Sequence, residues 1–149
     1  MKMENDVVEV QESMDYKEKI AFLRQYRDSL RRETLLMEEL AELRSRAEGL
    51  TRVLNGMPGA PSDGSALPRA VESIVEKQKE LEHQAGQCNA IRSEVEKTIE
   101  QTENETDREI LHRRYILGQR FEQISVAMHL EYRWVRRRHK RACQKLTES

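Results

Sequence analysis

Apolar residues recur through most of this chain in alternating steps of three and four. Tyr16, Ile20, Leu23, Tyr26 and Leu30 open the pattern, and Leu36, Leu40, Leu43, Ala47, Leu50 and Leu54 continue it after a phase slip near Arg31 to Leu35. An α-helix turns once in 3.6 residues, so this spacing lays one apolar stripe along a long helix, the seam of a coiled coil. A second seam runs through Leu67, Val71, Ile74, Gln78, Leu81, Ala85, Cys88, Ile91, Val95 and Ile99, weakened by Gln78, Ala85 and Gly86. Two such helices joined by one loop predict a long antiparallel hairpin, a coiled-coil arm over residues 15–100.

Punctuation residues set the expected boundaries. Residues 1–14 are rich in acids without a clear period and are expected to be a disordered tail. Asp15 with Glu18 forms a capping-box pattern that predicts the start of the first helix, and Asn55 with Gly56 predicts its end. Residues 55–68 hold every proline of the chain and are expected to be a loop, with Pro68 in the first turn of the second helix. The polar stretch Gln101–Thr106 breaks the pattern and predicts a linker, a hinge between the arm and the C-terminal helices. Thr106 with Glu109 predicts the cap of a third helix, Asp107 to Leu117, closed by Gly118. A fourth helix is expected over Phe121–Met128, with Phe121, Ile124, Ala127 and Met128 inward, and a fifth from Tyr132 to about Leu146. The predicted fold is all-α: the helical hairpin, then a three-helix helix-turn-helix domain over residues 107–149.

Charge separates these two parts. The net charge is −1, but residues 1–104 carry 15 Lys or Arg against 21 Asp or Glu, and residues 105–149 carry 11 against 6. From Tyr132 to Ser149 there are seven basic side chains and one acid, Glu148, which makes this end the candidate for a polyanionic partner. The acidic arm is expected to compete with phosphate for these cations. Aromatic residues make up only 5% of the chain, too few for a large compact core. Cys88 and Cys143 form no CxxC motif or disulfide framework, and neither an apolar run of membrane-spanning length nor a signal-peptide pattern is present, so a cytoplasmic protein is expected.

The predicted fifth helix divides cleanly. Val135, His139, Ala142 and Leu146 share one face, while Arg133, Arg136, Arg137 and Lys140 fall at i, i+3, i+4 and i+7 on the other. The major groove of B-DNA admits one α-helix whose buried side rests on its own domain while arginines reach guanine edges or phosphates. Tyr132 and Trp134, near the start of this helix, could contact thymine methyls, sugars or the backbone. A run of arginines alone is usually a solvated helix face. The support helix, turn and inward apolar face around this one favour DNA.

The stretch from Arg113 to Leu146, RRYILGQRFEQISVAMHLEYRWVRRRHKRACQKL, resembles the helix-turn-helix of sigma-factor region 4. With the helical arm and the Pro/Gly-containing loop, nearly the whole chain is similar to phage-encoded regulators of the ArpU/RinA type, activators of late-gene transcription. The resemblance makes Gly118 the turn glycine, Ile124 to Ala127 the support helix, Val135 the inward anchor, and Arg141, Ala142, Lys145 and Leu146 the closing signature. Arg120 and Glu131 stand where Ser or Thr caps are common. His129 stands where a glycine usually makes the turn, and His tolerates positive φ. The implied DNA-binding residues are Arg120, Tyr132, Arg133, Trp134, Arg136, Arg137, Lys140 and Arg141.

The expected function is sequence-specific binding of double-stranded DNA that regulates transcription of phage or prophage genes in the bacterial cytoplasm. The seam of the arm predicts a homodimer or higher homo-oligomer, and the arm is also a candidate for contact with RNA polymerase. Two other roles fit the same pattern: a small terminase-like packaging subunit in which the arm builds a ring, and a sigma-mimicking adaptor whose fifth helix touches polymerase. His139 and Cys143 are too few to make a structural zinc site. No nucleophile, phosphate loop or acid/base pair stands out, so neither an enzyme nor a cofactor is expected.

Overall fold

The structure is a computed structural model that describes residues 2–56 and 64–146, with side chains described from 15 to 53 and from 64 to 146. The described residues are all-α: α1 Lys2–Gly56, α2 Ala66–Glu100, α3 Glu105–Tyr115, α4 Phe121–Met128 and α5 Tyr132–Lys145. No described helix is long and apolar enough to cross a membrane.

Several helix ends differ from expectation. α1 starts at Lys2, well ahead of Asp15, whose carboxylate lies inside the helix and pairs with Lys19 at 3.1 Å. Asp15 therefore acts as an i, i+4 partner rather than a cap. Residues 2–14, expected to belong to a disordered tail, form the start of α1, and their side chains lie outside the described residues, as do those of most of the expected 55–68 loop. α2 begins at Ala66, within that stretch, and Pro68 falls in its first turn, where a missing N–H costs little. α3 is capped by Asn104 rather than Thr106. The Asn104 carboxamide accepts from the backbone N–H of Asp107 at 3.0 Å, so the helix begins at Glu105 and ends at Tyr115. α4 and α5 start without side-chain caps of their own. At α4, Gln123 Oε1 accepts from the Arg120 backbone N–H at 2.8 Å, which is half a capping box, since an arginine side chain has no acceptor to complete it.

The chain divides into two compact units, Met1–Asp28 with Asn89–Ser149, and Ser29–Cys88. The expected hinge at 101–106 is not where this division falls. That short connection is held by backbone bonds from Gln101 to Thr98 and from Thr102 to Ile99, and by the Asn104 cap. In the second unit, Gln84 Nε2 donates to the Ser29 carbonyl at 3.0 Å, and Lys77 Nζ pairs with Glu39 at 2.9 Å. The partner of α1 thus moves toward the α2 N-terminus as α1 runs toward its C-terminus, so these segments run antiparallel.

The first unit contains most of the buried core. Ile110, Ile124 and Val135, one from each of α3, α4 and α5, are fully buried together, with Phe121, Met128 and Leu130 packed around them. Ala127, expected inward, is exposed. Leu23 and Tyr26 of α1 and Val95 and Ile99 of α2 are also buried in this unit. The end of the predicted arm is therefore part of the same compact body as the C-terminal helices.

Candidate nucleic-acid interface

Two turns aim α5. Gly118, between α3 and α4, has φ +71, and the Arg27 guanidinium of α1 occupies the space where a Cβ would stand. Arg27 Nη1 also donates to the Ile116 carbonyl at 3.3 Å, so an α1 side chain covers this turn, and the positive φ is what favours glycine there. Between α4 and α5, His129 takes the left-handed conformation at φ 55, as expected for a residue standing in for glycine. The Leu130 N–H then donates to the Ser125 carbonyl at 3.0 Å, which satisfies the end of α4.

These turns press one side of α5 inward. Val135, His139, Ala142 and Cys143 are buried, whereas Arg133, Arg136, Arg137, Lys140 and Arg141 are exposed. The arginine between Arg137 and His139 has a different task. Arg138 Nε donates to Asp107 Oδ1 at 2.7 Å, and the Asp107 side chain is only 7% exposed, so this pair fastens α5 to the start of α3. Its guanidinium also lies over Trp134 at 5.2 Å, which places the half-buried Trp134 on the Arg138 flank rather than among the four stripe cations. Tyr132 is partly covered by Arg136 at 5.7 Å, and Arg120 sits at the N-cap of α4, on a separate element.

Beneath the stripe, the Tyr115 hydroxyl lies 2.6 Å from His139 Nε2. Burial, then the nearby Arg114, Arg24 and Arg136, lower the His139 pKa to about 4, so the imidazole is neutral at pH 7. Burial raises the Tyr115 hydroxyl well above the usual tyrosine range and pushes the Cys143 thiol up to about 12. His139 and Cys143 are thus inert packing groups, with Cys143 Sγ 3.5 Å from the same imidazole nitrogen.

Sequence reasoning missed a second set of cations. A groove of about 560 Å³ within the first unit runs along α5 and takes Lys17 and Arg24 from α1, Arg114 from α3, and Arg136, Arg137 and Lys140 from α5. The acidic average of residues 1–104 hid the fact that Lys17, Ala21 and Arg24 fall at i, i+4 and i+7. The part of α1 beside the stripe therefore offers positive charge rather than the competing acids expected there. Lys19 helps hold it in place by donating to the Gln144 carbonyl in the last turn of α5 at 2.9 Å.

A scan of protein-family models, a search of curated proteins and a search of solved structures each returned no match to this chain.

Proposed function

We propose that the protein is a transcription regulator that binds duplex DNA sequence-specifically, with α3, α4 and α5 acting as a sigma region 4-like helix-turn-helix and α5 as the helix that enters the major groove. α1 and α2 supply an antiparallel coiled-coil arm through which copies associate, and the genes controlled are late genes of a phage or prophage, as in the ArpU/RinA-type regulators that the sequence resembles. One observation carries this reading. α5 buries Val135, His139 and Ala142 against its own unit while Arg133, Arg136, Arg137 and Lys140 stand exposed, with no ion pair to any of the four among the described residues. A helix seated this way offers its unneutralised cations to a polyanion.

Direct measurement of binding tests the proposal. Arg136→Ala with Arg137→Ala should weaken binding to the cognate duplex by about 1–3 kcal/mol for each side chain that reads a base, and should narrow the gap between cognate and scrambled duplexes. Fluorescence anisotropy on both duplexes across a salt series measures both effects. Unchanged affinity in the double variant would remove α5 from the DNA interface.

A further inference from the structure

The groove beside α5 combines groups from three helices, and its chemistry narrows what it can hold. Six cations line it, Lys17, Arg24, Arg114, Arg136, Arg137 and Lys140, and none of the described residues lining it is acidic. Two of its aromatic rings, Phe121 and Tyr115, offer no open face for a base. Arg114 lies over the Phe121 ring at 4.3 Å and Arg136 at 5.8 Å, while Tyr115 is buried with its hydroxyl against His139. An unstacked base would need a free ring face. The groove presents concentrated positive charge, which suits phosphate.

We infer that this groove takes the phosphate backbone of the duplex bound by α5, so that Lys17 and Arg24 make α1 the second wall of the DNA interface. The inference rests on the proposed DNA-binding function and extends it to a helix outside the α3–α5 module. Arg136, Arg137 and Lys140 belong both to the exposed stripe and to the groove, so a backbone leaving the stripe on this side meets Lys17 and Arg24 without crossing a neutral gap. Phosphate contacts position a duplex without reading its sequence, and each one releases condensed counterions. The α1 cations should therefore contribute to affinity for any sequence, and to salt dependence, but not to base preference.

The experiment compares the full-length protein with Lys17→Ala/Arg24→Ala and, separately, Arg136→Ala/Arg137→Ala. Duplex binding is measured from low to moderate salt, with inorganic pyrophosphate as a second probe. Lys17 and Arg24 are both exposed, so the first variant is expected to keep its fold, which circular dichroism checks. The expected result is that Lys17→Ala/Arg24→Ala weakens binding to cognate and scrambled duplexes by the same factor, roughly tenfold or more at low salt. The slope of log K against log salt should fall by about 1.8, at 0.9 per phosphate contact. In the wild-type complex the His139 imidazole, held low by burial and by Arg114, Arg24 and Arg136, should titrate closer to its ordinary value as phosphate offsets those cations, which NMR detects. An unchanged salt slope in Lys17→Ala/Arg24→Ala, with clear loss in Arg136→Ala/Arg137→Ala, overturns the α1 wall and leaves the α5 reading standing. Loss in neither variant overturns both. Micromolar pyrophosphate binding that depends on Lys17 and Arg24, with duplex binding unaffected by their removal, overturns the backbone assignment in favour of a free polyphosphate ligand.

Discussion

At the scale of single residues, His139 couples the packing of α5 to the cations around it. The residue is only 8% exposed, its Nε2 lies 2.6 Å from the Tyr115 hydroxyl, and burial together with Arg114, Arg24 and Arg136 places its pKa at about 4 against 6.5 for the free side chain. The folded form thus resists a proton that the unfolded chain accepts. The stability this group contributes is complete above about pH 6.5, falls as the pH drops from there to about 4, and is lost below that, an effect of order 3 kcal/mol. Urea denaturation from pH 4 to 7 should show stability rising with pH through this window, and His139→Gln should flatten the rise. An unaltered profile in that variant would place the acid sensitivity elsewhere. Arg138 differs from the arginines beside it. Sequence presents Arg136, Arg137 and Arg138 as one run, but Arg138 is held by the nearly buried Asp107 and serves the fold, while its two neighbours stay exposed.

At the scale of elements, the turns decide how α5 is presented. Gly118 is constrained twice, by its positive φ and by the Arg27 guanidinium lying over it. Gly118→Ala should destabilise the protein by about 1–3 kcal/mol, since the backbone is strained for any L side chain and Arg27 must move away from the Ile116 carbonyl. Thermal denaturation measures this cost. Arg27→Ala with Gly118→Ala should recover the steric part and leave the backbone part, which a double-mutant cycle separates. A Gly118→Ala variant as stable as the wild type would mean that the turn is free to change shape. The helices α4 and α5 were legible from their 3.6-residue periodicity and punctuation, including the left-handed His129. The start of α3 was not, because Asn104 and Thr106 are both competent caps and local sequence alone does not rank them.

At the scale of the whole molecule, the second unit leaves apolar surface uncovered. Leu35, Met37, Val53, Val71 and Val75 are exposed, with relative exposures of 45–60%, and Leu36, Leu43 and Leu50 of the seam are only half-buried. Two helices can each bury only one stripe, so a further copy is the simplest cover for the rest. The protein should sediment as a dimer or larger at micromolar concentration, and Leu35→Glu with Val71→Glu should shift it toward monomer with helix content retained. Analytical ultracentrifugation and circular dichroism on the same samples measure both. Under the proposed DNA-binding function, linked ends gain affinity through effective concentration, so the same variant should bind paired half-sites more weakly while binding a single half-site as before. A monomeric wild-type protein would remove the proposed role of the arm in association.

The sequence alone determined the helical class and the division of α5 into an inward and a cationic face. Each depends on period and punctuation, which are local properties of the chain. Tertiary structure decided the rest. It placed the boundary between compact units within the long helices rather than at Gln101–Thr106, because Leu23, Tyr26, Val95 and Ile99 are buried in the same unit as Ile110, Ile124 and Val135. It tied Arg138 to the nearly buried Asp107 and brought Lys17 and Arg24 alongside the stripe. These outcomes depend on contacts between residues far apart in the chain, such as Arg138 with Asp107, Lys19 with Gln144 and Arg27 with Ile116, and no local pattern encodes which distant side chains will meet.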